Sequence, residues 1–255
     1  MNNDVTITGV DVYRVYVLPA LGELIGTGLF VFFVNLSSAP STIRPITYPV
    51  MSGISLYVLR GFFSKITPGY YNPAATVSQL VLRRLDVPSI VAYVVVQFFG
   101  AFLGAVLFRA LVSDFIFVDY FISSYMSADA GSISRSQGFF LDVILSSIIC
   151  LSYLAEINHS DHLRIPACWT LVSAFSFTLI GQSGNVALSA ANALVYHIFT
   201  GNNSATANLY LHFSAAVIAV VLSCFIVWFL KVPANLKETK VTTQPEKRDR
   251  STDTF

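Results

Sequence analysis

Residues 69–82 read GYYNPAATVSQLVL. A polar turn interrupts a chain that is otherwise oily, and an apolar run of only about ten residues follows it. Asn is a good helix N-cap and Pro is favoured at the first helical position. Asn72-Pro73 therefore starts a helix near 73 that runs to about 82, half the roughly 20 residues needed to cross a bilayer. Backbone that is not continuous helix is tolerated at membrane depth only where protein buries it or where it lines a wet cavity. The stretch thus predicts a re-entrant half-helix beside a cavity. Its free N–H groups and dipole place partial positive charge at mid-membrane.

The rest of the chain supplies the membrane. Of 255 residues, 55% are hydrophobic and 11% charged, against roughly a quarter charged in soluble domains. Mean hydropathy is +0.66. Six apolar segments of spanning length lie near 15–36, 46–64, 89–112, 138–156, 165–182 and 208–232. A second short run, 189–199, sits in GNVALSAANALVYHIF (184–199). The polar N-terminus predicts no cleavable signal peptide. The polar stretch 233–255 predicts a disordered cytoplasmic tail. Arg60, Lys65, Arg83, Arg84, Arg164 and the tail's Lys and Arg residues fall on one side, with Asp114, Asp119 and Asp129 on the other. Both termini are therefore expected in the cytoplasm. Arg44 and Arg135 are exceptions on the outer side. A net charge of +1 indicates no nucleic-acid partner. Cys150, Cys168 and Cys224 lie in apolar runs and read as buried hydrophobes.

The chain also repeats itself. Glu23 in LGELIGTGLF is followed four residues later by Thr27, and Asp142 in FLDVILSSII by Ser146; both pairs are offset by 119 (142 − 23 and 146 − 27). The short runs, begun at Asn72 and Ser189, are offset by 117 (189 − 72). Three spans per half, each half with a short run after its second span, give opposite orientations in the membrane. The organisation expected is an N-terminal 1–14, a first repeat 15–112 with half-helix 72–82, an outer connecting loop 113–137, a second repeat 138–232 with half-helix 189–199, and the tail 233–255. The fold class is an all-α membrane protein with six transmembrane helices and two re-entrant half-helices. A rival register that begins the second motif at Asn203-Ser204-Ala205 gives an offset of 131 and leaves no room for a half-helix before the last span.

Over about residues 12–232 the sequence resembles the aquaporin (major intrinsic protein) family. The resemblance rests on Glu23, on Asn72-Pro73-Ala74, on Gln97 and Gly100 in VVVQFFGA, and on Asp142. It implies passive passage of water or small neutral solutes such as glycerol or urea, with no cofactor, in a homotetramer with one pore per subunit. It also implies that Glu23 and Asp142 are buried scaffolds for the re-entrant loops rather than a proton relay. The second motif departs from the family: Ser189-Ala190-Ala191 stands where Asn-Pro-Ala is expected. The selectivity positions, carried by spacing, are Ser52, Phe177, Val186 and Asn192, the last normally Arg. Tyr70 stands where His is usual before the first motif, and Phe213-Ser214 where Gly-Pro is usual in the last span. Loss of the cation and of a bulky aromatic predicts a filter wider and less polar than that of a strict water channel. A channel that has drifted to low conductance, kept for a structural or interaction role, is the alternative.

An enzyme is a remote alternative. GQSG (181–184) resembles the motif of intramembrane serine proteases, with His212 as a base 29 residues on. The string lies at a span boundary, so no catalysis is expected. His159, His162 and His197 show no metal spacing. Gly100 and Gly104 form a small-xxx-small face for close helix packing. Asn202-Asn203-Ser204 is a glycosylation sequon on the expected outer side; Asn158-His159-Ser160 is one on the inner side.

Overall fold

The computed structural model describes residues 12–38, 42–124, 133–155, 163–182 and 184–231. The tail, the loop sequon at Asn158, His159, His162 and Ser183 lie outside these residues. The first helix, α1 (Leu18–Leu36), enters through a π-helical turn (Tyr13–Val17) and carries Pro19 in its first turn. Then come α2 (Arg44–Phe63), the short α3 (Pro73–Ser78) and α4 (Val87–Leu111). A further helix, α5 (Asp114–Ser124), occupies part of the segment 113–137 expected to be loop. The second half comprises α6 (Arg135–Leu154), α7 (Arg164–Leu179), α8 (Val186–Thr200) and α9 (Leu209–Lys231). Ser134 and Gln137 start α6 with a reciprocal capping box, and Gly201 ends α8 at φ 69°.

Among the described residues, four helical stretches are long and apolar enough to cross a bilayer: Tyr13–Leu36, Val87–Leu111, Arg135–Leu154 and Thr206–Leu230. The helix α7 falls short at 16 residues, and α2 carries Arg44 and Arg60. These two pack on each other so closely that a Cβ on Gly53 would lie 2.9 Å from the Pro166 carbonyl oxygen. The central crossing is that of α1 and α4. A Cβ on Gly100 would sit 2.3 Å from the Leu24 carbonyl oxygen, and one on Gly104 2.1 Å from that of Gly28. Backbone meets backbone there, as small residues allow between membrane helices.

Arg44, at the start of α2, pairs with Asp119 of α5. Phe117 of α5 is buried against Tyr196 and Phe199 of α8, and the Arg109 guanidinium lies over the Phe117 ring. The connecting segment is thus docked on the second half-helix. On the other side the cations serve carbonyls. Arg84 donates to Tyr153 and Leu154 at the end of α6, Arg164 donates to Ala155, and Arg60 donates to Gly69. Helix C-termini leave such oxygens unsatisfied, and guanidinium donors complete them.

Candidate functional site

The loop before α3 is built to present Asn72. Gly69 (φ 68°) and Tyr71 (φ 47°) both take the left-handed conformation, which only glycine adopts without strain. Tyr71 is held there from two directions. Its backbone N–H donates to Glu23 Oε2 at 2.8 Å, and its hydroxyl donates to the Leu59 carbonyl at 3.3 Å. Glu23, fully buried, also accepts from Tyr70 N (3.0 Å), from the Thr67 hydroxyl and from Gln97 Nε2 (2.8 Å). Hydrogen bonds to a carboxylate are about twice as strong as neutral ones, so one side chain fixes the whole turn. Tyr153 closes the turn from α6, donating to the Tyr70 carbonyl at 2.8 Å. Asn72 then caps α3, its Oδ1 accepting from Ala74 N at 3.0 Å, with Pro73 at the first helical position.

The second loop mirrors the first, but not at the expected residue. Here α8 begins at Val186, and its N-cap is Asn185, whose Oδ1 accepts from Ala187 N (3.1 Å) and Leu188 N (3.4 Å). The expected start at Ser189 is therefore corrected: Ser189, Ala190 and Ala191 lie inside the helix, and the Ser189 hydroxyl turns back to the Asn185 carbonyl. Capping needs a side-chain acceptor on a residue with extended backbone, and Asn185, at φ −143° and ψ 103°, is that residue. Gly184, at φ 82°, repeats the left-handed step that Tyr71 makes before Asn72. The first half-helix is also shorter than expected, since α3 ends at Ser78 and only turns continue toward 82.

The two caps are cross-linked. Asn72 Nδ2 donates to the Gly184 carbonyl at 2.6 Å, and Asn185 Nδ2 donates to the Tyr71 carbonyl at 2.8 Å. Each asparagine thus grips the residue preceding the other. Both are 2% exposed. A carboxamide nitrogen has two hydrogens, and this arrangement directs one of each pair across the junction.

Asp142 is the counterpart of Glu23. Its Oδ1 accepts from Ser146 Oγ (2.9 Å) and lies 3.5 Å from Gly184 N, and its Oδ2 is 2.7 Å from His212 Nδ1. Both carboxylates therefore bond the backbone of a re-entrant loop.

The remaining expected residues lie on α2, α7 and α8. Ser52 is buried on α2, its hydroxyl bonded to the Tyr48 carbonyl. Phe177 stacks on Tyr48 with ring centroids 4.5 Å apart. Val186 is the first residue of α8. Asn192 is fully buried and exchanges two amide hydrogen bonds with Asn35 (2.7 and 2.9 Å). It also donates to Gln182 Oε1 at 2.8 Å. Gln182 and Asn185 were not singled out from the sequence. The signal for Asn185 is present: Asn-Val-Ala opening an apolar helical run repeats Asn-Pro-Ala without its proline.

The model of the major intrinsic protein family matches residues 14–227. A glycerol uptake facilitator-like protein of Lactiplantibacillus plantarum is 24% identical over 212 residues, covering 80% of this chain and 94% of its own. An aquaporin-1 of Rhizophagus irregularis is 29% identical over 149 residues, 54% of this chain and 51% of its own. Among solved structures, the aquaglyceroporin of Plasmodium falciparum superposes with a TM-score of 0.70 at 20% identity, covering 87% of this chain and 98% of its own.

Proposed function

Since the chain belongs to the major intrinsic protein family, whose members are channels and not enzymes, we propose that it passes water and small neutral solutes of glycerol or urea size. The reading rests on one observation above all, the reciprocal pair Asn72 and Asn185 at the starts of two half-helices. Each amide uses one hydrogen on the opposite loop's carbonyl. The second hydrogen of each is left for a permeating oxygen, which trades its water hydrogen bonds for these donors at a narrow point. Pore diameter, lining donors and fixed charge together set selectivity in such pores.

Counting from Asn185 rather than Ser189 moves three of the four filter positions. Ser52 stays; Phe177, Val186 and Asn192 give way to Ser173, Gln182 and Leu188. The position usually held by Arg then carries Leu188, so the filter lacks a fixed cation in either register. Gln182 supplies a donor in its place. It is 4% exposed, its Oε1 is engaged by Asn192, and its Nε2 makes no hydrogen bond of good geometry, its neighbour being the Tyr48 hydroxyl. A buried unsatisfied donor costs about 1–3 kcal/mol, and a passing hydroxyl or water offsets that cost. Asn192 acts from behind, with Asn35, to fix the amide's orientation. The assembly is read as a homotetramer in a lipid bilayer with both termini cytoplasmic.

Stopped-flow measurements on proteoliposomes test the proposal. Water and glycerol flux above that of empty vesicles is expected, and Asn185→Asp should reduce both, because a carboxylate accepts the helix N–H groups but donates nothing. A folded protein that passes neither solute would support the low-conductance alternative instead.

A further inference from the structure

Two of the filter positions assigned above carry small side chains, Ser52 on α2 and Ser173 on α7, and both are buried. The Ser52 hydroxyl is turned back onto the Tyr48 carbonyl at 2.6 Å. Residues four apart lie on one face of a helix, a turn from each other. Tyr48 therefore stands one turn before Ser52 on the same face of α2, and Phe177 one turn after Ser173 on the same face of α7. The helices run antiparallel here, since Gly53 meets Thr170 while Tyr48 meets Phe177. The two displaced aromatics are thus brought together: their rings stack with centroids 4.5 Å apart and planes 26° from parallel. The pair lies about 6 Å along the helices from the serines, the rise of one turn, toward the end of α7.

The loop that leads from α7 to α8 brings a polar group to the same place. Gln182 is buried, and its Nε2, which makes no hydrogen bond of good geometry, neighbours the Tyr48 hydroxyl. Its Oε1 accepts from Asn192 Nδ2, and Asn192 is joined to Asn35 by two amide bonds. The amide is therefore anchored from α8 and α1 at its oxygen end, while its donor end meets the phenol. An aromatic pair and a poorly satisfied donor converge from α2, α7 and the re-entrant loop.

We propose that Tyr48 is a specificity-determining residue, and that with Phe177 and Gln182 it sets the size limit of the pore one turn away from the two serines. The inference rests on the channel reading above. Stacked rings make a stiff apolar wall, and the Tyr48 hydroxyl and Gln182 amide give that wall a polar edge. A short polyol matches both, its C–H side against the rings and its hydroxyls toward the edge. Pore diameter and lining donors together set selectivity. Here the ring pair supplies the narrowness that Ser52 and Ser173 do not.

Stopped-flow measurements on proteoliposomes test this with water, glycerol and erythritol, which is glycerol lengthened by one CHOH group. Wild type should pass glycerol about tenfold or more faster than erythritol, the low end of what one added group does in a fitted site. Tyr48→Ala and Tyr48→Leu should remove most of that ratio. Tyr48→Phe, which keeps the ring, should retain it, and so should Tyr57→Leu, which removes an exposed aromatic of the same helix. Where Tyr48→Ala fails to elute as a folded protein, Tyr48→Leu, nearer in volume, carries the comparison. A second reading needs no flux. With Cys150, Cys168 and Cys224 replaced by Ala, the thiol introduced by Ser52→Cys should react slowly with trimethylammonioethyl methanethiosulfonate in detergent, and several-fold faster once Tyr48→Leu is added. A glycerol-to-erythritol ratio that survives in folded Tyr48→Leu, or a thiol rate indifferent to Tyr48, would overturn the inference and leave the channel standing. A wild type that passes no solute would count against the channel, and the thiol rates would still decide whether Tyr48 guards the approach to position 52.

Discussion

Replacing Glu23 by Gln changes one oxygen into an NH2 group and leaves the volume almost untouched. The consequences follow from four donors that converge on the carboxylate: the Thr67 hydroxyl, Tyr70 N, Tyr71 N and Gln97 Nε2. A glutamine can accept from Thr67 and Tyr70 with its one oxygen. Its nitrogen then faces Tyr71 N–H and Gln97 Nε2, donor against donor. Gln97 can turn its amide over to present Oε1, at the cost of its own bond to the Thr76 hydroxyl. The Tyr71 N–H belongs to the backbone and cannot. One buried orphan donor costs about 1–3 kcal/mol, and loss of charge from the surviving bonds adds about 1–2 kcal/mol more. The sum, about 2–5 kcal/mol, corresponds to a fall in melting temperature on the order of 10 °C for a chain of this size. Thermal unfolding in detergent can be followed with a thiol-reactive dye, since Cys150 is buried and Cys168 and Cys224 are half-buried. The exchange Glu23→Gln with Gln97→Glu should not rescue stability, because the lost partner is backbone. A Glu23→Gln protein that melts with wild type would refute the claim that this carboxylate holds the first loop.

Further outcomes are expected elsewhere. Gly104→Ala should destabilise the protein by several kcal/mol, because its Cβ would meet the Gly28 backbone at 2.1 Å; Gly61→Ala, with nothing within 4 Å, should be neutral or slightly stabilising. Thermal melts of the two variants side by side check this. Asn72→Asp should impair flux at equal surface expression, since the aspartate loses the donor now spent on Gly184 and the one left for the permeant. If Gln182 lines the filter as proposed, Gln182→Leu should lower glycerol flux more than water flux, by removing an amide donor whose geometry leaves it poorly satisfied, and stopped-flow ratios of the two solutes measure it. Expressed in eukaryotic cells, Asn202 should carry a glycan removable by endoglycosidase, and the tail should resist protease added outside sealed cells.

The features legible in the sequence are those written in residue type. Span lengths, the Asn72-Pro73 cap and the two intramembrane carboxylates each have a local signature, and the glycines at 100 and 104 mark the tight crossing. The second motif was lost because its position depends on a length. Glu23 to Asn72 takes 49 residues (72 − 23), while Asp142 to Asn185 takes 43 (185 − 142). Four of the six missing residues correspond to helix: α2 has 20 residues and α7 has 16, about one turn fewer. Carrying the carboxylate offset of 119 across points to residue 191, six past Asn185, and Ser189, the nearest cap-type residue there, lies one turn beyond the true cap. The helix α5 is illegible in the sequence for a different reason. Its 11 residues are too few to span, and its order comes from docking Phe117 on α8 rather than from periodicity.

The crossed asparagine bonds have a consequence for how the protein is made. During synthesis the first 112 residues emerge before the second half exists. At that stage Asn72 has no Gly184 carbonyl to grip, and the Tyr71 carbonyl awaits Asn185. Neither loop can be completed by its own half, since each supplies the acceptor for the other's amide. Maturation is therefore a joining of two unfinished pieces at a shared seam. Two fragments divided in the connecting segment 125–132, synthesised together in one membrane, should find each other, whereas either fragment alone should be left to the degradation machinery.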